Sequence, residues 1–213
     1  MKTLIDHINE ALKIGKNLSD WSAYSCQPKT KHELLQDIVR IMRNNGSEGN
    51  WCDLNEIDTS LIEDMSNVFA FSAFHGDISR WNVSNVKNMA GMFNHADFNG
   101  DISKWDVSNV TNMSGMFRNS KFNQPIGDWD VSSVENMSKM FYESKFKQDI
   151  SNWDVSNVKS MNEMFRYSKF NKNISNWDVS GWNYKDVSDA IEVFDGCKIR
   201  EKYKPKALQN LDI

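Results

Sequence analysis

The sequence predicts an α/β solenoid, a right-handed stack of six 24-residue coils behind an N-terminal helical cap. Three observations predict it. Trp81, Trp105, Trp129, Trp153 and Trp177 stand 24 residues apart. Ile78, Ile102, Ile126, Ile150 and Ile174 keep the same period, as do Met65, Met89, Met113, Met137 and Met161. Nearly the same words also recur: "DISKWDVSNVTNMSGMF" begins at Asp101 and "DISNWDVSNVKSMNEMF" at Asp149. Self-similarity at a fixed period marks a repeat architecture. One unit cannot bury its apolar side alone, and stacked neighbours can.

The coils run 53–76, 77–100, 101–124, 125–148, 149–172 and 173–196, with no residue inserted or lost. Phe69, Phe93, Phe117, Phe141 and Phe165 form a further column, and Phe74, Phe98, Phe122, Phe146, Phe170 and Phe194 another. Within one coil, Ile102 reads as a short strand and Trp105–Val107 as a bend. Ser108 reads as the N-cap of a short helix, its hydroxyl accepting from an orphan N–H of the first turn. Val110, Met113, Met116 and Phe117 then make one apolar stripe. In the fourth coil Ser132 and Glu135 spell a capping box. Parallel strands of successive coils would lie about 4.8 Å apart. The period falls within the roughly 20–29 residues of leucine-rich repeats, so the stack is leucine-rich-repeat-like. Its first coil is degenerate, with Ile57 in the Trp slot and Thr59 in the Val slot. Its last coil replaces the Met segment by "GWNYKDVSDAIEVF". Atypical ends suit coils that have one neighbour only.

Residues 1–52 read as the helical cap. "TLIDHINEALKIG" sets Leu4, Ile5, Ile8, Leu12 and Ile14 mostly on one face. A second helix starts at Thr30 with Glu33 three residues on, buries Leu34, Leu35, Ile38, Ile41 and Met42, and ends in Asn-Asn-Gly. It would cover the open edge of the first coil. Residues 197–213 read as a basic, solvated tail, with Lys198, Arg200, Lys202, Lys204 and Lys206 against Glu201 and Asp212.

The coil words "DVSNVTNMSGMF" and "DLNEIDTSLIEDMSNVF", with the lead-in "TKHELLQDIVRIMRNNGSEGNWCDLNEID", resemble the BspA-like leucine-rich repeat family of bacterial proteins. The resemblance covers about residues 30–196. It implies a solenoid that binds other proteins, and many members are surface-exposed adhesins. This chain shows no apolar run near the roughly 18 residues of a membrane span and no secretory signal at its start. A cytoplasmic setting is therefore expected, with a surface or secreted one if an export signal has been removed. The function expected is a non-enzymatic protein-binding scaffold. The alternatives are an exported adhesin, or an intracellular inhibitor that blocks a bacterial or viral enzyme.

Several classes drop out. Cys26, Cys52 and Cys197 are odd in number and widely spaced, without a CxxC, so neither a disulfide framework nor a zinc site is expected. No two of His7, His32, His75 and His95 sit at ligand spacing. Ser and Asp recur by duplication, so any Ser–Asp spacing recurs with them and signifies no catalytic pair. The reading is no enzyme, no cofactor and no metal. The Asp row 53, 77, 101 and 149 diverges instead of converging on calcium. The row Asp106, Asp130, Asp154 and Asp178 satisfies bend N–H groups. Residues 53–196 carry 13 Lys plus Arg against 21 Asp plus Glu, a balance of −8. An acidic stack repels phosphate backbones, which excludes direct nucleic-acid binding and favours a basic protein partner.

Two surfaces are candidates for that partner. The strand face carries Asp77, Ser79 and Arg80, then Asp101, Ser103 and Lys104, then Pro125, Gly127 and Asp128, then Asp149, Ser151 and Asn152. It leads on architecture. A rim of Arg118, Tyr142, Arg166 and Tyr167 follows closely on composition, since interface hot spots favour Tyr and Arg. The tryptophan ladder reads as core instead of an exposed stacking platform, and Lys121, Lys145 and Lys169 as a solvated edge.

Overall fold

A computed structural model describes residues 27–45, 50–183 and 187–210, with the backbone alone at 187 and 188. The helix read over residues 3–15 and Cys26 lie outside the described residues.

Helix α1 (Lys31–Asn44) forms where the sequence places it. The Thr30 hydroxyl accepts from the Glu33 N–H at 3.2 Å, and the Glu33 carboxylate reaches back to the Lys29 N–H at 2.7 Å. Leu34, Leu35, Ile38, Ile41 and Met42 are buried, joined by Val39. Lys31 ties the helix to the first coil through Asp64 at 2.9 Å and the Ser66 hydroxyl at 2.8 Å.

The coils stack in register, but their backbone departs from the strand-and-helix expectation. Met113, Gly115, Phe117 and Asn119 donate their N–H groups to the carbonyls of Asn136, Ser138, Met140 and Tyr142 in the next coil, at 2.7–3.0 Å. The same pattern repeats one coil earlier and one later. Parallel bridges run Asp64–Asn88–Asn112–Asn136–Ser160. Two residues in each of the first five coils are left-handed, Gly115 (φ +61°) and Asn119 (φ +49°) in the third. An α-helix tolerates neither the left-handed residues nor the outward routing of its N–H groups. The segment read as a helix is thus a series of turns laddered to its neighbours. A two-turn helix rich in Ser, Asn and Gly is marginal by itself, whereas stacking supplies partners for alternate N–H groups. The segment read as a strand is also a turn: Asp101 Oδ1 accepts the Ser103 N–H at 2.9 Å, and Trp105 N–H reaches the Ile102 carbonyl at 3.2 Å. Asx chemistry competes with extended pairing there.

The columns are core. Phe69, Phe93, Phe117, Phe141 and Phe165 stack 5.6–5.8 Å apart. Trp81 and Trp105 stack at 6.5 Å with planes 3° apart. Each indole N–H donates to a carbonyl 27 residues back, Trp129 to Ile102 and Trp153 to Ile126 among them. A buried Trp thereby satisfies its one polar atom, and the ladder offers no stacking platform to solvent. In the first coil Thr59 is buried and donates its hydroxyl to the Asn82 carbonyl at 2.8 Å.

The last coil breaks the period. Phe194 stacks on Phe165 at 5.7 Å, not in the Phe170 column, and Phe165 N–H reaches the Val193 carbonyl. Helix α2 (Val187–Glu192) takes up the extra length. The chain then docks instead of trailing as a solvated tail. Cys197 Sγ lies 3.4 Å from the Phe170 carbonyl, Ile174 N–H reaches the Tyr203 carbonyl, and Ile199 and Leu208 are buried. The cations there stay at the surface. One hydrophobic cluster runs from Leu34 to Leu208.

Candidate functional site

The strand-face residues sit on exposed turns. Each Asp is engaged by its own turn: Asp77 Oδ1 accepts from Ser79 N–H at 2.8 Å and Asp149 Oδ1 from Ser151 N–H at 2.9 Å. These backbone bonds, with the Ser hydroxyls, hold Asp77, Asp101 and Asp149 below the usual carboxylate range. Arg80 lies 3.6 Å from Asp53. Pro125 and Gly127 replace the Asp and Ser of the second, third and fifth coils. They line an open hollow of about 430 Å³ with Lys104, Asp128, Asp149 and Asn152. The face is small and polar, with few groups free of local duty. The second Asp row behaves as its position suggests: Asp106 and Asp154 each accept a Ser N–H and a Ser hydroxyl.

The rim residues come together. The Arg118 guanidinium lies 5.1 Å over the Tyr142 ring. Tyr142 meets Tyr167 edge-on at 6.0 Å and 85°, and Arg166 lies 5.1 Å over Tyr167. Three coils thus present one continuous Arg/Tyr cluster. Arg166 is also structural. It bonds Asp195 at 3.0 Å and Glu163 at 3.3 Å, with Glu192 at 3.7 Å, locking the last coil. Arg118 makes no such bonds. Among the described residues it has no carboxylate partner, and its Nε lacks a hydrogen bond.

The rim extends further than the sequence reading placed it. Phe71, His95, Asn119, Glu143 and Tyr167 occupy one left-handed column, with φ between 49° and 57°. Left-handed backbone turns these side chains outward. Phe71 is 47% exposed and Tyr167 48%. Phe71 stacks on His95 at 4.8 Å; burial and the nearby Arg118 charge pull that imidazole below its ordinary range. One rung before His75, Trp51 is 69% exposed and stacks on it at 4.5 Å. The signal was present: Phe71 stands four 24-residue steps before Tyr167.

Among the described residues no three His, Cys, Asp or Glu converge to hold a metal ion, and no helix is long and apolar enough to cross a membrane. The family described as Mycoplasma protein of unknown function, DUF285, matches residues 36–144 and again residues 118–203. Two overlapping matches on one chain accord with its internal repetition. No curated protein and no solved structure matches the chain.

Proposed function

The chain belongs to that family, and we propose that it is a protein-binding scaffold, a solenoid akin to the BspA-like repeat proteins, which works by binding and not by catalysis. The Arg118–Tyr142–Tyr167–Arg166 cluster carries the reading. Hot spots of protein interfaces are rich in Tyr and Arg and held rigid before binding. Here each ring or guanidinium is already packed on its neighbour and still partly in solvent, Tyr167 at 48% and the Arg166 side chain at 25%. The strand-face carboxylates, occupied in their own turns, rank second. Photo-crosslinking tests the proposal. A benzophenone side chain at position 142 is expected to capture a protein from native extract that the same group at position 101 does not capture. Equal capture at both positions, or at 101 alone, would transfer the binding surface to the strand face.

A further inference from the structure

The repeat is acidic in sum, yet one wall of its last rungs is basic. Along the stretch after the left-handed column, burial alternates. Ser144 and Phe146 are buried while Lys145 and Lys147 are exposed; Ser168 and Phe170 are buried while Lys169 is exposed; Ile199 is buried between exposed Lys198 and Arg200. The rungs are in register. Lys145 N–H reaches the Ser120 carbonyl and Lys169 N–H the Ser144 carbonyl. Contacts of Cys197 with Ser168 and of Arg200 N–H with Asn171 Oδ1 bracket Lys198 onto the next rung. Lys145, Lys169 and Lys198 therefore form one column, flanked by Lys147 and Arg200. Among the described residues none of these five forms an ion pair, whereas Lys121, one rung earlier, is closed by Asp97 at 2.7 Å. The docking of residues 197–203 creates this wall, which is why reading Lys121, Lys145 and Lys169 as a solvated edge understates it.

Rungs joined by backbone hydrogen bonds lie about 4.8 Å apart, and outward side chains along an extended chain about 6.8 Å apart. Five cations without carboxylate partners on that grid, Arg200 leaning on Tyr203, match the carboxylates of a short extended acidic peptide. A duplex or a bilayer would reach past the wall to Glu143 and Asp149, exposed two residues before Lys145 and two after Lys147. Such a large polyanion is repelled there; a short segment touches the wall alone. Tyr167, exposed on the rung of Lys169, adds an aromatic edge suited to a peptide. We propose that the wall of Lys145, Lys147, Lys169, Lys198 and Arg200 docks an acidic extended segment of the protein partner, a proposal that rests on the scaffold reading and specifies its ligand.

The probe is a labelled peptide of about twelve residues with Glu at alternate positions, followed by fluorescence anisotropy. The wild-type chain is expected to bind it, with affinity falling as salt rises from about 0.05 to 0.3 M. K145E/K169E is expected to weaken binding by about tenfold or more at the lower salt. K87E/K159E makes the same charge change on a different column and is expected to keep the peptide. Equal binding by wild type and K145E/K169E overturns the proposal. So does an anionic vesicle or single-stranded oligonucleotide that binds the wall when the peptide does not. The two readings fail separately. A captured protein partner held equally by wild type and K145E/K169E removes the wall and leaves the scaffold. Peptide binding that needs the wall, with no protein captured by the wild-type chain, upholds the wall's ligand chemistry and removes the scaffold.

Discussion

Trp129→Ala probes the stack at its middle. Trp129 is 4% exposed, its Nε1 donates to the Ile102 carbonyl at 3.2 Å, and its ring lies 6.4 Å from that of Phe117. A buried Trp removes about 200 Å² from water, worth about 5 kcal/mol at about 25 cal/mol per Å². Residual burial in the unfolded chain lowers that by about 10–40%. Loss of the indole donor removes one of the two hydrogen bonds that the Ile102 carbonyl accepts, the Trp105 N–H keeping the other, and adds at most about 1 kcal/mol. The net cost is about 4 kcal/mol, inside the range of about 3–5 for large core deletions. Trp129→Phe keeps most of the area and loses the donor, so about 1–2 kcal/mol is expected. The assay is urea unfolding followed by fluorescence and circular dichroism together, because a stack of repeats unfolds as coupled units. A loss under about 1 kcal/mol for Trp129→Ala would refute the buried ladder and reopen the exposed-platform alternative.

Acid should weaken the fold. The Ser N–H and hydroxyl bonds depress the folded-state pKa of Asp77, Asp101, Asp130, Asp149 and Asp154. Their contribution is complete above the unfolded value of about 3.9 and is lost as pH falls through the folded values; a urea midpoint that holds or rises on going from about pH 6 to pH 3 contradicts this. Burial pushes the Cys52 thiol up to about 11 and raises that of Cys197. Both should resist alkylation in the native protein and react on unfolding; rapid native labelling of Cys52 would place it at the surface. Gly196→Ala should destabilise the end of the stack: its φ is +63°, and a Cβ would fall 2.2 Å from the Tyr167 ring. A rise in thermal midpoint for that variant would show the contact is not there.

Which side chains face inward was legible, because the 24-residue columns report burial directly. Trp105, Met113 and Phe117 are all buried as read. Thr30 opens α1 as read. Where the backbone hydrogen bonds go was not legible. Val110, Met113, Met116 and Phe117 recur at a spacing that a helix and a laddered turn both satisfy, and side-chain pattern alone does not separate them. The register of Phe194 was ambiguous for a related reason. Each of the first five coils carries two Phe five residues apart, so Phe194 sits 24 residues after Phe170 and 29 after Phe165; packing chose the second. Of the candidate site, the rim residues were named correctly as neighbours, whereas Phe71 and His95 were missed because positive φ, not hydrophobicity, turns them outward. Net charge likewise concealed the basic wall, which exists only once the C-terminal segment docks.

The most direct test of the binding surface is the affinity of the crosslinked partner for two paired variants. R118A/Y142A removes one end of the Arg/Tyr cluster while sparing Arg166 and its three carboxylates. D101K/D149K reverses the strand face. The rim account predicts a loss of about tenfold to a hundredfold for the first, as hot-spot truncations cost about 2 kcal/mol, with the second within about threefold of wild type. Full affinity in R118A/Y142A with binding abolished in D101K/D149K would contradict it and give the surface to the strand face.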